Sequence, residues 1–251
     1  MFSETEKKYL AGLMDADGSL CYVHNHGYLH LAMSISMSES IDRNGEYCNY
    51  LGDKVGKLYS RKRDDNWAIQ NEWVVRKRTD LEKTLPHITK HMVVKGKKWQ
   101  HMLEVFRNHK ARKITDEEFL KLRETANALR GSIKKKNHPT WAWTAGYIDG
   151  DGWYLKRVRP RQIEQHVGVV SHPDHPEGVE LLHKAFGGVL KMDRGHLRWI
   201  KNLGPRDRQF TISFLKKMVN HTHLKKWKIE QLLSTYSQRL SVLTPKGDAI
   251  V

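Results

Sequence analysis

"YLAGLMDADGSL", Tyr9 to Leu20, decides how the chain is read. It opens as an apolar helix and places Asp15 and Asp17 at its end, where negative charge faces the wrong pole of the helix macrodipole. The anomaly occurs twice. "WTAGYIDGDGWY", Trp143 to Tyr154, repeats the order apolar helix, small residue, Asp, small residue, Asp, Gly. Both stretches are entered through helix-start signals. "SETE", Ser3 to Glu6, is a capping box, and Pro139 followed by Thr140 supplies a break and an N-cap.

The segments C-terminal to the two stretches also correspond. In "GYLHLAMSISM", Gly27 to Met37, the residues Leu29, Leu31, Met33, Ile35 and Met37 alternate with Tyr28, His30, Ala32, Ser34 and Ser36, a strand with one buried face. Its counterpart, Arg161 to Val170, buries Ile163, Val167 and Val169 and leaves Gln162, Glu164 and His166 outside. Helical stretches come next, over Glu39 to Val55 and over Gly178 to Phe186. Two short basic strands succeed them in each half, "GKLYSRKR" and "NEWVVRKR", then "GGVLKMDR" and "HLRWIKN", and each half closes with helix. The expected class is therefore α+β, an αββαββα unit performed twice. Residues 1–106 form the first repeat, 107–138 a linker with one capped helix (Thr115, Glu118), and 139–251 the second repeat.

Gly12 and Ala16 are four apart on the first motif helix, and so are Gly146 and Gly150 on the second. Residues at that spacing share a face, and small ones let two backbones approach, so these four are the expected seam between the halves. Asp15 and Asp17 point in different directions on a helix, as do Asp149 and Asp151. Asp15 and Asp149 are read as holding their turns. Asp17 and Asp151 are read as facing a shared centre, where clustered carboxylates call for a cation. A hard divalent ion with oxygen ligands, phosphate among them, fits.

Composition sets the partner class. Lys and Arg exceed Asp and Glu by 44 − 28 = 16 over 251 residues. That excess points to a polyanion, nucleic acid first. No run approaches the roughly 18 apolar residues of a membrane span, and "MFSETEKKYL" lacks signal-peptide order, so a soluble intracellular protein is expected, with no membrane partner. Cys21 and Cys48 provide neither a disulfide framework nor a four-cysteine zinc site. The pairs His172/His175 and His221/His223 lack accompanying cysteines, which favours phosphate contact or plain surface over zinc. Trp143, Trp199 and Trp227 sit among apolar residues and are expected in the core.

"LAGLMDADG" (Leu10 to Gly18) and "TAGYIDGDG" (Thr144 to Gly152) resemble the paired motifs of single-chain LAGLIDADG homing endonucleases, and the repeat plan carries the resemblance over nearly the whole chain. The resemblance implies two pseudo-symmetric repeats. Each has a curved antiparallel sheet forming a DNA-binding saddle, and the motif helices pack at the centre. It implies a monomer that cleaves both strands of double-stranded DNA with Mg²⁺, Mn²⁺ serving as a substitute, and leaves short 3′ overhangs. Carried over by position, Asp17 and Asp151 are the catalytic metal ligands, joined by the carbonyls of Ala16 and Gly150. Lys95 and Lys225 are the basic residues that organise the hydrolytic water. The glutamine that many members place near the metals has no equivalent, since the matching positions read Met37-Ser38-Glu39 and Val170-Ser171-His172.

Base readout would come from the outward faces of the strands. The candidates are Asn25, Tyr28, His30, Ser34, Arg61, Arg63 and Arg76 in the first half. In the second they are Arg157, Arg159, Gln162, His166, Arg194 and Arg198. Two other functions suit the same fold: a maturase that binds its own intron RNA, and a DNA-binding regulator without cleavage. Both aspartates being present argues against a pure maturase.

Overall fold

A computed structural model describes residues 2–62, 68–109, 113–134, 138–159, 162–204 and 207–243, without the side chains at 158–159, 162–163 and 237–243. The chain starts with α1 (Glu4–Ala16), capped at Ser3 by a reciprocal box with Glu6. A hairpin of β1 (Ser19–Asn25) and β2 (Tyr28–Ser38) turns at His26 and Gly27, both at positive φ. Such a two-residue turn matches the twist of its strands. The strand alternation holds: Leu29, Leu31, Met33, Ile35 and Met37 are all buried. Then come α2 (Glu46–Lys54), β3 (Lys57–Arg61), β4 (Gln70–Val75), α3 (Arg78–Thr89) and α4 (Gly96–Asn108). After α5 (Asp116–Ala128), capped by Thr115 with Glu118, the plan repeats. It runs through α6 (Trp141–Asp151), β5 (Gly152–Arg159), β6 (Gln162–Ser171), α7 (Glu177–Phe186), β7 (Val189–Asp193), β8 (His196–Asn202), α8 (Arg208–Val219) and α9 (Lys226–Leu243).

The two antiparallel sheets have the same topology, β1-β2-β4-β3 and β5-β6-β8-β7. Helices cover one face of each, and α1 packs on α6 between them. No described helix is long and apolar enough to cross a membrane.

Four local readings change. Helix α2 begins at Glu46 rather than Glu39, because Asn44 and Gly45 adopt left-handed φ of 55° and 68°. Left-handed residues cannot propagate a right-handed helix. Asp42 then caps α2 from outside, accepting the N–H groups of Tyr47 and Cys48 at 2.8 and 3.0 Å. Strand β4 stops at Val75, which leaves Arg76 beyond its end. Each half closes with two helices, α3 with α4 and α8 with α9, where the sequence suggested one. Pro86 disguises α3, since it lacks the N–H that would bond the Glu82 carbonyl. The Arg107 guanidinium takes that carbonyl instead, at 3.2 Å. Finally, Trp143 and Trp199 are core residues, but Trp227 is 40% exposed, with Arg43 stacked 4.8 Å from its ring.

Candidate active site

Helices α1 and α6 cross so closely that side chains are excluded from the seam. A methyl group on Gly12 would overlap the Trp143 carbonyl, and one on Gly146 would overlap the Tyr9 carbonyl. At the C-terminal ends Gly150 lies against the Ala16 methyl. The crossing brings the ends of both helices, with Asp17 and Asp151, to one place.

The aspartate in front of each does something the sequence did not suggest. Asp15 is buried and accepts the N–H groups of Val93, Val94 and Lys95 at 2.6, 3.1 and 2.8 Å. It therefore caps the start of α4, across the molecule, rather than holding its own turn. Asp149 does the same for α9, accepting from His223, Leu224 and Lys225 at 3.1, 3.1 and 3.2 Å. Each also receives a donor from the opposite motif helix: the Trp143 indole reaches Asp15 at 2.9 Å, and the Tyr9 hydroxyl reaches Asp149 at 2.7 Å. Tyr9 and Trp143 both stand six residues before their own aspartates, 15 − 9 and 149 − 143, a repeat signal present in the sequence itself. Burial raises the Asp15 pKa to about 6, opposed by the N–H groups of Val93 and Lys95.

The lysines resolve the misplaced charge. Lys95 Nζ donates to the carbonyls of Met14, Ala16 and Gly18 at 3.1, 2.8 and 2.9 Å. Lys225 Nζ donates to those of Ile148, Gly150 and Gly152 at 2.9, 3.2 and 2.6 Å. A cation thus sits on the C-terminal carbonyls of each motif helix, while that helix's aspartate caps the helix bearing the cation. The two ends neutralise one another. An ammonium has three donors, and all three are taken in each case. In this geometry the lysines act on Asp17 and Asp151 as fixed positive charges, with no donor left for water. The carbonyls of Ala16 and Gly150 keep one lone pair each.

Asp17 is exposed and Asp151 half-buried, and their side chains are within hydrogen-bonding reach of each other. Although Asp17 keeps contact with solvent, the protein crowded around its carboxyl displaces water and raises its pKa, opposed by the charges of Lys225 and Lys95. Burial and the facing Asp17 charge raise that of Asp151. Without a cation the pair holds a proton to higher pH than isolated aspartates. A raised carboxyl pKa gives stability that is full below about pH 4 and lost as pH rises through the folded-state value. We therefore expect Asp151→Asn in EDTA to melt above the wild type at pH 8, the advantage shrinking toward pH 4.5 as Asp151 becomes neutral like Asn. An equal offset at both pH values would refute the shared proton.

The pair fits a divalent ion. The donors are hard oxygens, their mutual repulsion is what a cation relieves, and Mg²⁺ is commonly held by one or two carboxylates plus phosphate and water. Among the described residues no group of three or more His, Cys, Asp and Glu side chains could hold a metal, so phosphate and water would supply most of the shell.

No protein-family model and no curated protein matches the sequence. Solved structures do match the fold. The LAGLIDADG meganuclease I-AabMI, bound to uncleaved DNA, is 14% identical with a TM-score of 0.69, over 94% of this chain and 91% of that one. This chain has the LAGLIDADG homing endonuclease fold. I-SmaMI bound to cleaved DNA is 15% identical with a TM-score of 0.66, covering 96% of this chain and 92% of its own. The same protein is also known on an uncleaved DNA target in the presence of calcium ions. I-GzeII in complex with its DNA target is 12% identical with a TM-score of 0.66, over 95% and 93% of the two chains.

In this LAGLIDADG fold the strand registers group the candidate base-reading residues. Asn25 pairs with Tyr28, Val23 with His30 and Ser19 with Ser34, so these side chains share the sheet face opposite the core. Arg61 joins them from β3, held by Glu72 at 3.2 Å. Arg76, past the end of β4, lies 5.8 Å from the Tyr59 ring. In the second sheet Arg157 pairs with Glu164, Leu155 with His166 and Val170 with Arg198, which again groups Arg157, His166 and Arg198 on the face away from the core. Arg198 is held by Asp193 at 2.7 Å, and Arg194 occupies the β7–β8 turn at positive φ. Arg63 lies outside the described residues, as do the side chains of Arg159 and Gln162. At the positions matching the family's metal-adjacent glutamine, Ser171 donates to the His175 carbonyl at 2.6 Å, and Ser38 meets Ser40 at 2.7 Å.

Proposed function

We propose that this protein is a site-specific DNA endonuclease of the homing type. It makes a metal-dependent double-strand break at a long asymmetric target and leaves short 3′ overhangs. The observation that carries the reading is the meeting of Asp17 and Asp151 at the crossing of α1 and α6, between two sheets whose faces away from the core present Arg, His, Asn and Tyr. The neighbours of the same fold bound to DNA, one of them with calcium ions, support it.

Asp17 and Asp151, with the remaining lone pairs of the Ala16 and Gly150 carbonyls, would hold Mg²⁺. When bound, Mg²⁺ supplies a nucleophile at neutral pH and stabilises the leaving oxygen. The proton shared by the two carboxyls must leave for both to act as ligands. Lys95 and Lys225, fixed by three carbonyls each, keep the carboxylates ionised once it has gone. Each half contributes one aspartate, so a single chain would suffice to address both strands of one duplex. The halves present different outward faces, Tyr28 and His30 against Arg157 and His166, so the target is asymmetric.

The test is digestion of a randomised duplex library with Mg²⁺, followed by sequencing of the cut ends. One consensus with staggered 3′ ends, lost in EDTA, is expected. Failure to cut any duplex with either Mg²⁺ or Mn²⁺ would overturn the proposal.

A further inference from the structure

Leu129, Arg130 and Gly131, in the segment joining the halves, lie beside the candidate active site. The Gly131 N–H donates to the Val94 carbonyl at 2.8 Å, and its own carbonyl accepts the Lys97 N–H at 3.0 Å. These bonds pin the segment to the turn that carries Lys95. Gly131 has φ of +83° with nothing near where a Cβ would stand, so backbone conformation rather than crowding selects glycine.

The pinning sets Arg130 at a cavity of about 410 Å³ that reaches Asp151 and the buried Asp15, with Lys95, Lys98, His172, His175 and His196 around it. Lys98 uses one donor on Asn127 at 2.7 Å, and Arg130 uses one on the Leu129 carbonyl at 3.0 Å. Neither has a carboxylate partner among the described residues. His175 Nδ1 is buried and has no partner among them. Burial and the Arg130 charge lower the Lys98 pKa, as happens when two cations are held together without an anion.

The corresponding corner of the other half is different. Where the turn into α9 faces the segment after β2, the cavity of about 570 Å³ sets Asp42, Glu46 and Glu230 beside Arg43 and Lys226, its Arg43 stacks on Trp227, and neither Asp17 nor Asp151 lines it. No described part of the joining segment lines it.

We infer that the cavity beside Asp151 seats a backbone phosphate of one DNA strand, clamped by Arg130 and Lys98, so that the joining segment promotes cleavage of that strand alone. A planar guanidinium and an ammonium converging on one space are the side chains that hold phosphate oxygens. The inference rests on the endonuclease reading.

Cleavage of a supercoiled plasmid carrying the selected target tests it, with strand-specific end-labelling. Arg130→Gln should slow cutting of one strand by about tenfold or more, the size expected for a lost charged hydrogen bond. Nicked circles should accumulate with the uncut bond always on the same strand. Lys98→Gln should spare that same strand, Arg130→Lys should restore part of the rate, and Lys121→Gln, an equal charge loss elsewhere on the segment, should change nothing. Equal slowing of both strands by Arg130→Gln, or unchanged cleavage, would overturn this inference while leaving the endonuclease reading intact. A wild-type protein that cuts neither strand would remove both.

Discussion

Asp17→Asn and Asp151→Asn should each abolish double-strand cleavage while preserving affinity for the target. Either substitution keeps the side chain's shape and removes one of the two carboxylates at the helix crossing, the proposed metal ligands. Loss of a partner behind a metal ligand typically costs about 10–100-fold, and loss of the ligand itself should cost more. The proposed binding surface lies elsewhere, on the strand faces carrying Tyr28, His30, Arg157 and His166, so retention on target DNA in a gel shift should persist. Stability separates this outcome from misfolding. Because loss of water raises both pKa values, with the facing Asp17 charge adding to the rise at Asp151, each variant should melt above the wild type at pH 8 without metal. Lost activity with gained stability is the pattern of a site held under electrostatic strain for function. Undiminished cutting by both single variants would end the site assignment. Loss of cutting with a lowered melting temperature would move these aspartates into the scaffold.

Much of the architecture was legible because it is written in periodicity. The alternation from Leu29 to Met37, the Ser3 and Thr115 capping boxes and the Thr140 cap each depend on residues a few positions apart. The small-residue spacing of Gly12 with Ala16 and Gly146 with Gly150 likewise lies within single helices, and the structure sets all four in the α1–α6 contact. What escaped depends on distant partners. Asp15 looked like a turn residue because its N–H donors lie 78 to 80 positions away. Lys95 and Lys225 looked like one pair among many basic residues, since nothing local tells a lysine aimed at three carbonyls from one in solvent. Helix α3 was hidden by Pro86, whose cost is relieved by Arg107 from another helix. The break before α2 was readable only in part: Gly45 is a permitted left-handed residue, whereas Asn44 at φ 55° announces itself weakly. Arg130 drew no notice because its segment has linker composition, and only the Gly131 bonds to α4 bring it to the site.

The largest loss of stability should come from the smallest side chain that can be added, at Gly146. Alanine in place of glycine within a helix normally gains about 1 kcal/mol. In α2 that rule should hold: a methyl at Gly52 would meet the Leu58 nitrogen at 3.6 Å, an ordinary contact, so Gly52→Ala should melt with or slightly above the wild type. At Gly146 the sign should reverse, because the methyl would run into the Tyr9 carbonyl, main chain that cannot rotate aside. The same holds at Gly12 against the Trp143 carbonyl. Overpacking a core typically costs about 1–3 kcal/mol. A clash with backbone belongs at or beyond the upper end, because relief requires the helices to separate. At about 2–4 °C per kcal/mol for a chain of this size, Gly146→Ala should lower the melting temperature by roughly 6–12 °C. Separation of α1 from α6 would also pull the Trp143 indole from Asp15 and the Tyr9 hydroxyl from Asp149, leaving buried acceptors short of a donor. Asp17 and Asp151 would move apart with the helix ends, so cleavage should fail together with stability, unlike the aspartate variants. Should Gly146→Ala melt with the wild type, the halves do not meet backbone to backbone, and the convergence of the two carboxylates loses its structural cause.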